Sequence, residues 1–409
     1  MKKTLILAAG LVVCLTIQSQ AATKIISYQA NSRAGISRSL ENMGGHIVKK
    51  FKYINAMVVE FPDDRANALD MTALNGVDSI SDNKTINWLK AVDNNVDATA
   101  LPSQADLIKR AKETAVPAVP APVVVDYNYS GTANPIETLA SEIPWGVERV
   151  NASGLWNYTQ GQAVRVAIID TGIDYTHPDL KDNYAGGYNV VAKSNDPMDD
   201  QGHGTHVAGT IAAVRNGTGV VGVAPRARLY AVKVLGSDGS GSYANIISGI
   251  EWAIDNHMNV INMSLGGGGY LQAMHDEIKA ARDAGITIVC AAGNDGGDVN
   301  YPAKYPETIA VSASDSSDKL AYFSSRGDEI TVIAPGVNIY STMRGGSYGK
   351  MSGTSMACPH VAGLAALAIG AGASTPSAVE AKLKAAAEKL PSLSDAQQGA
   401  GLVNAAKLR

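Results

Sequence analysis

Between residues 164 and 333 the chain returns repeatedly to short, unbroken runs of β-branched and other apolar residues: 164–169, 229–234, 260–264, 286–291, 308–311 and 330–333. A strand with one face in water alternates apolar with polar residues, whereas an unbroken run must be covered on both faces. The stretches 205–213, 244–256, 273–284, 355–367 and 376–386 carry helical spacing and can supply that cover. The pattern predicts an α/β domain, a parallel sheet held between helical layers. Folds of this kind gather their sites at the carboxyl ends of the strands.

The first run closes on Asp170-Thr171-Gly172, a carboxylate at a strand end, although an aspartate that only forms a turn before glycine looks the same. In Gly202-His203-Gly204-Thr205-His206-Val207-Ala208-Gly209-Thr210 a histidine opens an apolar helix. His203 and His206 also have a spacing that metals use, but no third histidine or cysteine lies nearby to complete such a site. Gly353-Thr354-Ser355-Met356-Ala357, followed by Cys358-Pro359-His360-Val361-Ala362-Gly363, puts Ser355 at the start of another apolar helix. Free amides and the helix dipole there favour an oxyanion beside a nucleophile; a plain helix cap is the other reading.

In this order and in these small-residue frames, Asp170, His203 and Ser355 resemble the subtilisin-like serine proteases. The likeness runs through nearly all of residues 144–409, starting at Pro144-Trp145-Gly146-Val147. It implies a three-layer subtilisin-like catalytic domain. Ser355 would be the nucleophile, His203 its general base and then acid, and Asp170 the group that orients His203. His206, on the far side of a regular helix, is expected to make a buried hydrogen bond. Asn294 follows the run at 286–291; the resemblance makes its amide, with the Ser355 N–H, an oxyanion hole, where the residues alone allow a turn asparagine before Asp295-Gly296. Gly239-Ser240-Gly241 and Ser264-Leu265-Gly266 are small-residue segments able to pair with an extended peptide. By resemblance they bind substrate, with Tyr243 lining a pocket further along the peptide and Asn300 at the base of the main pocket. Asp179 with Val214, Asn216, Thr218 and Val220 resembles the family's tight calcium site, whose ligands are all oxygens. The glutamine usual near the family's mature start is replaced by Ser141 or Glu142. Calcium is thus an expected structural cofactor, and no organic cofactor is implied.

Residues 1–21 read as a secretory signal peptide: two lysines, a short apolar core and Ser19-Gln20-Ala21. Cys14 lies in that core behind the bulky Val13, an unsuitable neighbour for lipid attachment. Residues 22–93 follow a βαββαβ order, a small α+β ferredoxin-like unit at the position of a subtilisin-type inhibitory prodomain. Such a unit would also template a parallel sheet that is slow to fold. Residues 94–140 form a Pro/Ala-rich linker, and 141–409 the catalytic domain. Cys290 and Cys358, the cysteines left after export, are either buried thiols or a disulfide.

Charged residues make up 18% and hydrophobic ones 45%, and the formal net charge is −4, so no basic field is available for nucleic acid or an anionic membrane. The expectation is a secreted monomeric endopeptidase, extracellular or periplasmic, without membrane anchor or nucleic-acid partner. Polypeptides are its substrates and its own prodomain its inhibitor. The alternative is an inactive subtilase-fold binding protein. An α/β-hydrolase-type esterase is disfavoured, because Ser355 lacks the Gly-x-Ser-x-Gly frame.

Overall fold

The computed structural model describes residues 22–62, 74–89 and 143–409. The expected signal peptide and linker lie outside them, as do Ser141, Glu142 and residues 63–73, where the second helix of the expected βαββαβ order would largely fall. The chain divides between Lys84 and Thr85 into two compact units.

In the first unit, β1 (Ala22–Tyr28), α1 (Arg33–Asn42), β2 (His46–Lys50), β3 (Ala56–Phe61) and β4 (Val77–Asp82) follow in order. The strands form an antiparallel sheet ordered β2-β3-β1-β4. Alternate residues Ile26 and Tyr28, and Met57, Val59 and Phe61, meet Ile36 and Leu40 of α1 in one core. Period two on the strands and period four on the helix put these side chains on facing surfaces.

The second unit begins with β5 (Thr85–Asn87), α2 (Trp145–Arg149), β6 (Arg165–Asp170), β7 (Tyr184–Asn189), α3 (His203–Ala212) and β8 (Arg228–Lys233). Next come β9 (Ser240–Ser242), α4 (Tyr243–Asp255), β10 (Val260–Met263), α5 (Gln272–Asp283), β11 (Thr287–Ala291), β12 (Ile309–Ser314) and β13 (Ile330–Pro335). The unit ends with β14 (Ile339–Met343), β15 (Ser347–Met351), α6 (Thr354–Gly370), α7 (Pro376–Ala386), β16 (Ala387–Glu388) and β17 (Leu402–Val403).

The main sheet runs β16-β17-β13-β12-β11-β10-β6-β8-β7, parallel throughout except at β16. Its central strands are buried on both faces, as their unbroken apolar runs require. Strand β7 escapes the sequence pattern, since Tyr-Ala-Gly-Gly-Tyr-Asn carries no apolar run and lies only half buried at the sheet edge. A Cβ on its Gly187 would stand 2.0 Å from the Ala231 carbonyl oxygen, so close strand pairing selects glycine there.

From β6 the chain builds outward through β7 and β8 on one side, then returns to build β10 to β13 on the other. The reversal opens a crevice at the carboxyl ends of β6 and β10. Helix α6 lies against β10 to β13 and is buried at nearly every residue from Met356 to Ala368. A helix apolar all round belongs in the interior, and this one delivers its N-terminus to the crevice.

Candidate active site

Asp170 ends β6 fully buried, and its Oδ1 accepts from the Thr171 N–H at 2.7 Å. His203, the first residue of α3, lies against it, with Nδ1 2.8 Å from Asp170 Oδ1 and 3.0 Å from Oδ2. Glycine makes that approach possible: a Cβ on Gly204 would fall 2.1 Å from the Gly172 carbonyl oxygen, while the Gly204 N–H donates to Thr171 Oγ1 at 2.9 Å. The Asp-Thr-Gly and His-Gly-Thr frames are therefore two halves of one contact. Burial lowers the affinity of His203 for a proton, but the Asp170 carboxylate outweighs it and Asp199 adds to the same side, leaving the pKa raised.

Asp199 was not singled out by the sequence, where it is one loop acid among several. Its Oδ1 accepts from the N–H groups of Gln201 (2.9 Å) and Gly202 (2.8 Å), and its Oδ2 from the Thr205 N–H (3.0 Å) and hydroxyl (2.6 Å). It thereby fastens the first turn of α3. Lys233 was missed as well. It stands opposite Asp170 in the β6/β8 register, and its buried Nζ donates to the carbonyls of Thr171 (2.7 Å) and Leu235 (2.8 Å) and to Asp200 (2.6 Å).

Ser355 lies in the first turn of α6, and its Oγ donates to the Ser264 carbonyl at 3.1 Å rather than to His203. Ser264 Oγ donates in return to the Ser355 carbonyl at 2.8 Å. That carbonyl is open to it because Pro359, four residues on, has no N–H to offer as a helical partner. Behind Ser264, Asn262 Nδ2 donates to Ser264 Oγ (3.0 Å) and Cys358 Sγ donates to Asn262 Oδ1 (3.2 Å). Asn294 Oδ1 accepts from the N–H (2.9 Å) and hydroxyl (2.8 Å) of Thr354, which fixes the amide at the start of α6.

A small pocket beside Ser355 is lined by Leu265, Gly266, Ala291, Gly293, Asn294 and Asn300, with Trp88 at its mouth. Asn300 Nδ2 donates to Asp295 at 2.8 Å, which ties the pocket base to its rim. The two small-residue segments are already in use. Thr85, Ile86 and Asn87 pair antiparallel with Ser242, Gly241 and Ser240. Trp88 then donates its N–H to the Gly239 carbonyl (3.1 Å) and accepts from the Gly266 N–H (3.1 Å). Because of this pairing Thr85–Leu89 belongs to the second compact unit, although it lies within the expected prodomain stretch 22–93.

The subtilase family model matches residues 161–401, the stretch that carries every one of these groups except Trp88 and its neighbours. The chain belongs to the subtilase family. Subtilisin E of Bacillus subtilis (strain 168) is 55% identical over 236 residues, 56% of this chain and 61% of that protein. A subtilisin of Bacillus pumilus is 54% identical over 236 residues, 56% of this chain and 85% of that protein. An alkaline protease of Alkalihalobacillus alcalophilus is 48% identical over 234 residues, 57% of this chain and 61% of that protein. The matched stretch thus spans about three fifths of the length of the first of these relatives.

Calcium is the ion a subtilase implies, and the loop after α3 has the chemistry for it. Asp179, fully buried, accepts at Oδ1 from Asn216 Nδ2 (2.9 Å) and at Oδ2 from the Val220 N–H (3.0 Å) and the Tyr348 hydroxyl (2.9 Å). A Cβ on Gly219 would lie 2.2 Å from Asp179 Oδ2, so the loop wraps the carboxylate closely. Asp179, Asn216 and the carbonyls of Val214, Thr218 and Val220 are the oxygens a hard cation would draw on here, but both Asp179 oxygens already accept from donors, and among the described residues no group of three or more His, Cys, Asp or Glu is placed to hold a metal. In the arrangement seen, Asn216 Oδ1 accepts from the Thr218 N–H at 3.0 Å. His206 makes the buried bond expected of it, Nε2 to the Ile339 carbonyl at 2.9 Å, and burial pulls its pKa down to about 3. Cys290 and Cys358 are both free and buried.

Proposed function

We propose that this subtilase is a secreted serine endopeptidase that works through Asp170, His203 and Ser355 by way of an acyl-enzyme. The observation that carries the reading is the buried Asp170–His203 pair at 2.8 Å, set at the same crevice as a half-buried serine at a helix N-terminus. Ser355 Oγ leaves the Ser264 carbonyl, gives its proton to His203 Nε2 and attacks the substrate carbonyl carbon, forming a C–O bond. The oxyanion is met by Asn294 Nδ2 and the Ser355 N–H. The C–N bond then breaks, and the departing amine takes the proton from His203. A water repeats the cycle in reverse: His203 accepts its proton, its oxygen attacks the ester, and Ser355 Oγ is released with its proton restored. Asp170 stays ionised and holds His203 Nδ1–H throughout.

The protein is made latent. Residues 22–93 serve as its inhibitor and folding template, the signal peptide directs it out of the cytoplasm, and autoprocessing frees the mature enzyme. In support, Thr85–Asn87 lies on β9 in the antiparallel register that an added peptide strand takes. Structural calcium would be held by Asp179 and Asn216 with the carbonyls of Val214, Thr218 and Val220, bracing the loop after α3. No helix among the described residues is long and apolar enough to cross a membrane.

Casein hydrolysis by the wild-type chain and by Ser355→Ala tests the reading. Loss of the nucleophile should cost roughly a millionfold in turnover, the size known for subtilisin itself. Equal and negligible hydrolysis by both would favour the inactive binding protein instead.

A further inference from the structure

We propose that the crevice selects tryptophan in the peptides it cuts, through a hydrogen bond from the indole N–H to the carbonyl oxygen of Gly241. The inference rests on the endopeptidase reading and adds the side chain its binding strands prefer upstream of the cut. Trp88 is held by its backbone on both sides, to Gly239 and to Gly266, so the direction of its side chain is set by the same strands that would hold a substrate. The indole is 1% exposed. Its edge meets Tyr243 with centroids 5.1 Å apart and planes at 83°, a favourable quadrupole arrangement. Its Nε1 donates to Gly241 O at 2.8 Å in a buried setting.

Both walls are rigid. The Tyr243 hydroxyl accepts from the Gly269 N–H at 3.1 Å, and it reaches that bond only because Gly268 has no side chain, since a Cβ there would lie 2.0 Å from the same oxygen. Gly241 lies so close to the chain leaving β8 that a Cβ there would stand 2.6 Å from the Val234 carbonyl oxygen. The acceptor therefore keeps its place whichever side chain arrives. Phenylalanine would fill part of the space without offering a donor, and leucine or methionine would offer neither ring edge nor donor. A purely apolar pocket grades its guests by size; one with a fixed carbonyl also grades them by whether they bring an N–H.

Internally quenched peptides containing Thr-Ile-Asn-Trp-Leu separate the two criteria when tested on the active enzyme recovered from the full chain. In one peptide, 3-benzothienylalanine replaces tryptophan, keeping the bicyclic shape and losing only the N–H; in another, alanine removes both. Mass spectrometry fixes the position of the cut. The expected kcat/KM falls about fivefold for the sulfur isostere and about fiftyfold for alanine. Equal rates for tryptophan and its isostere, with casein still turned over, would overturn the inference and leave the endopeptidase reading standing. Casein turnover no greater than that of Ser355→Ala would take both down.

Discussion

At the scale of single residues, two carboxylates raise the pKa of His203, the proposed base, and only Asp170 touches it. Catalysis needs His203 neutral, so a raised pKa sets the acid limb of kcat/KM at higher pH than an ordinary histidine would. Asp199→Asn keeps the side chain's size, gives up one of its two accepting oxygens and removes a charge that favours the imidazolium, so the limb should move to lower pH; a pH profile with an unmoved limb would show that Asp199 only holds the helix. Asn294→Ala should lower kcat about 100- to 1000-fold with KM little changed, the range known for the matching donor in subtilisin. Asp170, His203, Ser355 and Asn294 could be picked out as candidates because each stands in a short local frame. Asp199 and Lys233 were not, since their roles arise only when a helix and a neighbouring strand are brought beside them.

Among the elements, α6 does most to place Ser355, the proposed nucleophile, and it does so through a defect. Pro359 withholds an N–H, the Ser355 carbonyl is released to Ser264, and Asn262 and Cys358 stand behind that contact. Ser264→Ala should cost roughly tenfold in kcat with KM nearly unchanged, because a loosely held nucleophile attacks less often from the right geometry. Cys358→Ser, which keeps a donor to Asn262, should stay closer to wild type than Cys358→Ala; the same loss in both would dissociate the thiol from the network. The approach of α3 to the turn after β6 gives a stability test. Gly204→Ala drives a Cβ into the Gly172 carbonyl and should destabilise by about 2 kcal/mol or more, read from the urea midpoint. Central strands and long helices were readable from periodicity, which reports burial. The edge strand β7 was not, because its glycines answer to backbone crowding instead.

For the molecule as a whole, the loop around Asp179 and the thiols are the features to test. If the loop around Asp179 binds calcium, chelation should lower the thermal midpoint of wild type and leave Asp179→Asn unmoved. A midpoint indifferent to calcium in both would leave Asp179 with its hydrogen bonds alone. Burial pushes the Cys290 and Cys358 thiols up, so N-ethylmaleimide should spare casein turnover and label these cysteines only after unfolding. In the first unit, the strands and the helix at Arg33–Asn42 were visible from the apolar pattern. That Trp88 stands in the crevice was not, because the contact joins residues 153 positions apart.

The strand Thr85–Leu89 has one further consequence. A competitor on a separate molecule can be thinned out by dilution or swamped by excess substrate, but a tenant tied into the same polypeptide keeps its local concentration however dilute the solution becomes. If Thr85–Leu89 is the tail of the proposed inhibitor, the full chain should therefore be as quiet in open medium as in a crowded export channel, until the backbone beyond Leu89 is severed and the freed end departs.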